Sequence, residues 1–199
     1  MKLLVATRNQ HKFREIKQIL KSIPYRIINL NQLKSISKDL DVRETGKTFK
    51  ANAILKAKAF SRQANLLTAA DDSGLVIDAL NGQPGIYSAR FANNDFTTAM
   101  KKIINQLKHV PFKKRTAKFV CVVALYDPDK KHLTTFTGET HGWITTSPKG
   151  NNNFGYDPIF LSQDLNQTFG QASFSQKNQV SARARAFIQL KQFLSPTSK

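Results

Sequence analysis

The chain opens with a short apolar run, Leu3-Leu4-Val5-Ala6, then a stretch with apolar residues at helical spacing, then a second β-type run. Nothing constrains the fold more, because strand, helix and strand in close succession make a parallel β-α-β unit. The first strand reads as Lys2 to Ala6. Asn9 is suited to cap the helix, where Phe13, Ile16, Ile19, Leu20 and Ile23 share a face ahead of Pro24. Tyr25 to Ile28 returns as strand. A second helix is expected from Thr48 to about Ala64, then a strand over 66–70, a turn over 71–74 and a strand from Leu75 to Leu80. Thr97 is expected to cap a third helix through Leu107. Ala117 to Tyr126 reads as a long strand, followed by a turn with Pro128 at its second position. His132 to Gly138 is its hairpin partner, Trp143 to Thr145 a further short strand, and Asn178 to Leu194 a last helix. The expected class is α/β, a mixed β-sheet flanked by helices, as one domain over 1–199 without a separable boundary.

A chain of 199 residues can bury roughly 70 % of its extended surface. Its only cysteine, Cys121, rules out an internal disulfide and sits in an apolar run, as a buried, inert thiol in a reducing cytoplasm would. No stretch approaches the length of a membrane span, and Leu3 to Ala6 is too short for a signal peptide. With 31 Lys plus Arg against 13 Asp plus Glu, the net charge is +18. Three readings compete: compositional drift on solvated faces, a field that draws in a polyanionic small molecule, and nucleic-acid binding. The basic residues are dispersed, with short clusters only at Lys113-Lys114-Arg115 and Lys130-Lys131, which puts nucleic acid last.

Four segments could carry chemistry. In Ala70-Asp71-Asp72-Ser73-Gly74-Leu75, an acid-poor chain sets two carboxylates side by side at the end of an apolar strand. That pattern suggests oxygen ligands for a hard cation such as Mg²⁺ bridging to phosphate; a plain Asp-Ser-Gly turn is the blander reading. Thr7-Arg8-Asn9-Gln10-His11-Lys12 lies at a strand-to-helix junction, where free backbone N–H groups attract anions, although it is not a Walker loop. In Phe154-Gly155-Tyr156-Asp157-Pro158 an aromatic beside glycine lets a flat base approach the backbone, and Asp157 can accept from ring N–H groups; core packing is the alternative. The fourth is Lys177 with the run Ser181-Ala182-Arg183-Ala184-Arg185, where alternate Arg residues on a helix lie about 200° apart, so at most one faces a given pocket and the other is a solvated charge. The four histidines show no i, i+4 pair, so no zinc site is expected.

In this order, these segments resemble the inosine/xanthosine triphosphate pyrophosphatase family from Leu3 to about Leu194. The matching stretches are Ala6-Thr7-x-Asn9-x-x-Lys12, Glu44-Thr45-Gly46 with Asn52-Ala53 downstream, Asp71 to Leu75, Pro84-Gly85-Ile86-Tyr87-Ser88-Ala89-Arg90, and Phe154 to Phe160. The resemblance implies an elongated mixed α/β fold with a nucleotide cleft between two lobes, usually in a homodimer. It implies Mg²⁺-dependent hydrolysis of nonstandard purine nucleoside triphosphates (ITP, dITP, XTP) to monophosphate and pyrophosphate. Carried over by position, Thr7, Asn9 and Lys12 would hold the phosphates, within a substrate-binding stretch that also takes in Arg8, Gln10 and His11. Asp72 would be the general base and would join Glu44 and Asp71 around the metal. Ser73 would touch substrate, and Phe154, Gly155, Tyr156 and Asp157 would bind base and sugar. Lys177 and Arg183 would approach phosphate or the purine 6-oxygen. Three departures fall on the base-reading half: Ala182 stands where the family usually has histidine, Ser175-Gln176 replace acidic residues before Lys177, and Asn153 replaces a common glycine. Two alternatives are a catalytically silent nucleotide- or RNA-binding protein on the same scaffold, and a pyrophosphatase with relaxed or different base specificity.

Overall fold

The computed structural model describes residues 1–33, 42–92, 95–152 and 154–195; Asn153 lies outside them. Among these residues the strands are β1 (Lys2–Val5), β2 (Arg26–Asn29), β3 (Leu67–Ile77), β4 (Thr116–Asp127), β5 (His132–Ile144), β6 (Phe160–Ser162) and β7 (Gln167–Thr168). The helices are α1 (Gln10–Ile19), α2 (Phe49–Ala64), α3 (Phe96–Gln106), α4 (Phe174–Val180) and α5 (Ala182–Leu194). The strands form one seven-stranded sheet in the order β2-β1-β3-β4-β5-β6-β7. β1 runs parallel to both β2 and β3, whereas β6 is antiparallel to β5 and β7. The opening β-α-β unit is therefore present, and the sheet is mixed as expected.

Local chemistry accounts for most boundaries. Leu3, Leu4 and Val5 are all buried, as befits an inner parallel strand covered on both faces. The Asn9 side chain accepts from the Lys12 N–H and starts α1, while Thr48 accepts from the Ala51 N–H and starts α2. Asn65, in the left-handed region at φ 50°, ends α2.

Four expectations need correction. The expected turn over 71–74 is absent, because β3 runs unbroken from Leu67 to Ile77. Asp, Ser and Gly favour turns only when nothing better engages them, and here both acids meet cations from neighbouring helices. The cap of α3 is Asp95, not Thr97: its carboxylate accepts the Thr97 N–H at 2.9 Å and the Thr98 hydroxyl at 2.5 Å. β5 is one strand rather than two, continuing through Gly138 to Gly142. The last helix is two, since Ser181 is extended (φ −64°, ψ 150°). Ser173 starts α4 in a capping box with Gln176, a local use for one of the residues that depart from the family pattern.

The chain divides into two compact units. The first comprises Met1–Asp72, Cys121–Gly138 and Arg183–Lys199; the second comprises Ser73–Val120 and Glu139–Ala182. In the first, Leu4, Ile28, Leu30 and Phe60 form a core cluster. In the second, Leu75, Ile77, Ile103, Leu107, Ile144, Phe160 and Phe169 are central to a larger one. No helix among the described residues is long and apolar enough to cross a membrane.

Candidate active site

Successive side chains of a strand point to opposite faces of its sheet. Asp71 and Asp72, adjacent on β3 and both buried, obey this rule through their partners. Asp71 Oδ2 accepts from Lys12 Nζ of α1 at 3.3 Å and lies 3.8 Å from Arg183 Nε of α5. Asp72 instead meets α2, where Lys56 Nζ donates to its Oδ1 at 3.1 Å and Asn52 Nδ2 donates to its Oδ2 at 3.2 Å.

The two acids respond in opposite directions. Burial works against ionisation of Asp71, but the charges of Lys12, Arg183 and Lys56 outweigh it and hold the carboxyl well below the usual carboxylate range. Burial, with the negative charge of Glu44 added, pushes Asp72 upward despite Lys56 and Asn52. Burial also disfavours the Lys56 ammonium, yet Asp72, Asp71 and Glu44 together raise its pKa. Arg183, itself buried, forms an ion pair with Glu15 of α1. Burial opposes its charge, and Asp71 and Glu15 more than restore it.

Lys56 Nζ also donates to Glu44 Oε1 at 2.9 Å, so two carboxylates converge on one ammonium nitrogen. The sequence alone does not point to Lys56, and it places Asn52 only within a matching stretch, without a role. They stand four residues apart on one face of α2, and that spacing downstream of Glu44-Thr45-Gly46 is the signal that could have found them.

At the β1–α1 junction, Thr7 Oγ1 accepts the Asn9 N–H at 3.2 Å and Asn9 Oδ1 accepts the Lys12 N–H at 3.1 Å. Thr7 is buried, Arg8 and Lys12 are half-buried, and Asn9, Gln10 and His11 are exposed. The predicted segment thus sits at the start of a ten-residue helix.

The remaining predicted residues, apart from Arg183, belong to the second unit. Ser73 is half-buried on β3. Asp157 and Lys177, both buried, pair at 2.5 Å, with Asn152 Nδ2 at 3.5 Å from the same carboxylate oxygen. Lys177 Nζ lies 4.7 Å from the Phe154 ring centre and 5.9 Å from that of Phe169, within reach of both π faces. Gly155 takes φ 62°, where a side chain would be strained, and so sets the bend between Phe154 and Tyr156. Tyr156 turns inward: its ring packs edge-on against Phe96 at 5.3 Å and its hydroxyl donates to Ser88 O at 2.7 Å. Any contact it offers a substrate would come from its backbone. Cys121 is buried, and desolvation pushes its thiol up to about 12, as an inert cysteine requires.

Among the described residues, no three His, Cys, Asp or Glu side chains gather as a metal cage. Magnesium does not require one, since it is commonly held by one or two carboxylates with waters and phosphates completing the shell. Glu44 and Asp72, already converging on a cationic nitrogen, fit that donor set. Asp71 hydrogen-bonds to Lys12 and acts on Lys56 through its charge.

Together these features define an α/β protein whose third strand bears a charged cluster on each face. The Ham1 family model matches residues 3–193, and the chain belongs to that family. It is 42% identical over 195 residues to the dITP/XTP pyrophosphatase of Geobacter sulfurreducens, covering 97% of this chain and 96% of the relative. It is 41% identical over 194 residues to the protein of the same description from Bacillus cereus, covering 96% and 93%. The solved structure of the Staphylococcus aureus Ham1 protein superposes with a TM-score of 0.85 at 41% identity, covering 98% of each chain.

Proposed function

We propose that the chain hydrolyses nonstandard purine nucleoside triphosphates, of the dITP, ITP and XTP kind, to the monophosphate and pyrophosphate, cleansing the nucleotide pool. The observation that carries this is the convergence of Glu44 and Asp72 on one cationic nitrogen, with the neighbouring Asp71 held by Lys12 of the β1–α1 junction, in a chain that matches dITP/XTP pyrophosphatases over nearly its full length. Magnesium, when bound by Glu44 and Asp72, would supply neutralisation of phosphate charge. Lys12, the N–H groups at the start of α1 and Lys56 would hold phosphate oxygens. Asp72 would take the proton of a water attacking the α-phosphorus; the bond from that phosphorus to the α–β bridging oxygen breaks, and pyrophosphate leaves. Phe154, Gly155 and Asp157, with Lys177 fixing the carboxylate, would receive base and sugar, and Arg183 would contact phosphate or the purine 6-oxygen. Ala182, buried at the start of α5, offers only a methyl group where the resembled family carries an imidazole. Rejection of GTP and ATP should therefore be poorer than in a relative that keeps the histidine. The setting would be cytoplasmic and the working form a homodimer.

Pyrophosphate release from ITP, dITP, XTP, GTP, ATP and UTP, with magnesium and with EDTA, tests the reading. Release from the first three with magnesium, slower release from the others and none with EDTA is expected. No magnesium-dependent release from any of them would favour the silent nucleotide binder, which the carboxylates facing Lys56 otherwise argue against.

A further inference from the structure

Asn52 has no exposed surface, and both ends of its amide are committed. Its Oδ1 accepts the Gly46 N–H at 2.8 Å, and its Nδ2 donates to Asp72 Oδ2 at 3.2 Å. The amide cannot turn over: a backbone N–H needs an acceptor and a carboxylate needs a donor, so each neighbour dictates the same orientation. Asp72 is thereby given two unlike oxygens, with Oδ2 held by Asn52 and Oδ1 turned to Lys56. Gly46 lies two residues beyond Glu44, so the same side chain ties the segment bearing Glu44 to the strand bearing Asp72. A Cβ on Gly46 would come within 2.6 Å of Asn52 Oδ1 and 2.7 Å of Ala51 Cβ, so only glycine lets that segment lie so close to α2.

We propose that Asn52, seated against Gly46, is the positioning residue of the Glu44–Asp72 pair: it sets the spacing and the orientation with which the two carboxylates meet a cation. The proposal rests on the pyrophosphatase reading for its kinetic test alone. Ser61 supplies the control, since it too is buried on α2 but bonds to Leu66 O at 2.8 Å and touches neither carboxylate.

The test measures ITP turnover, Mn²⁺ affinity without nucleotide by electron paramagnetic resonance, and thermal unfolding for Asn52→Ala, Asn52→Asp, Gly46→Ala and Ser61→Ala. Asn52→Ala is expected to lower kcat about 30-fold or more with KM within about threefold, because misaimed groups lose rate before they lose binding. Its Mn²⁺ affinity should fall about 10-fold or more, the usual size of an outer-partner effect. Asn52→Asp keeps an acceptor for Gly46 but removes the donor to Asp72, and should lose kcat as fully as the alanine variant. That change also buries a second carboxylate beside Asp72, which costs stability whatever the residue's role, so the deciding readouts are the split of kcat against KM and the Mn²⁺ affinity of the alanine variant. Ser61→Ala should lower the melting temperature and leave kcat and Mn²⁺ affinity alone. Should Asn52→Ala fail to fold, Gly46→Ala, which pushes the amide from its other side, is read in its place with the same expected loss. A folded Asn52→Ala (or its substitute) with unchanged kcat and unchanged Mn²⁺ affinity overturns the proposal. Should the unaltered protein release no pyrophosphate, the functional reading fails instead, and the Mn²⁺ measurements still decide the positioning role.

Discussion

On one face of β3 two carboxylates surround an ammonium; on the other, cationic groups surround a carboxylate. Glu44 and Asp72 converge on Lys56, while Lys12 and Arg183 converge on Asp71. The same residue type in consecutive positions is driven in opposite directions, Asp72 upward and Asp71 downward. Placement relative to the sheet, not proximity in sequence, decides what each acid can do. On the proposed function, acids gathered on one cation would suit exchange of that cation for a harder, doubly charged one. On the same reading, cations gathered on one acid would suit a shared grip on an incoming phosphate, with the acid holding them in place between turnovers.

The sharpest way to break this contrast is to neutralise each acid in turn. Asp72→Asn should cost about 10³-fold or more in kcat, losing both a cation ligand and a proton acceptor, as read from pyrophosphate release. Release that persists in this variant would move the base elsewhere. Asp71→Asn should act first on stability, because removing one partner from a buried charge cluster costs about 3–5 kcal/mol. Its melting temperature should fall by about 6 °C or more, with a smaller kcat loss than Asp72→Asn shows. Equal kcat losses in the two variants would erase the distinction between the faces. Lys12→Ala should raise KM for ITP about tenfold with kcat within about threefold, the signature of a contact made equally to substrate and transition state.

The smallest effect lies away from β3, at Tyr156, and serves as a reference without an ionic cluster. Burial pushes its hydroxyl up to about 12 from 10.0. Between those values the unfolded chain has released a proton that the folded chain retains, so stability contributed by Tyr156 is complete below pH 10 and declines as pH rises toward 12. Tyr156→Phe should lower the melting temperature by a few degrees at pH 8, having lost the bond to Ser88 O. The gap between variant and parent should narrow by pH 11. A gap that widens instead would mean that the hydroxyl does not titrate as its burial requires.

Much of this was readable from residue order alone. The β-α-β opening, the caps Asn9 and Thr48, and the clustering of chemistry near Asp71-Asp72 all follow from spacing and local hydrogen-bonding chemistry. The bend expected at 71–74 was wrong because Asp, Ser and Gly carry turn propensity locally, while the partners that hold them in a strand arrive from α1, α2 and α5. The same distance hid Lys56. Lys50, Lys56 and Lys58 are alike as members of a helix rich in Ala and Lys, and only the docking of α2 against β3 selects the one that reaches Asp72. The interruption at Ser181 was masked by an apolar pattern that runs on through Ala184 and Phe187.

The way the chain is threaded has a consequence for inheritance. One compact unit is assembled from three stretches and the other from two, alternating along the polypeptide. No single cut, whether by a protease or at the level of the gene, can release either unit whole. Exchange of one continuous stretch could not transplant either unit without carrying part of the other.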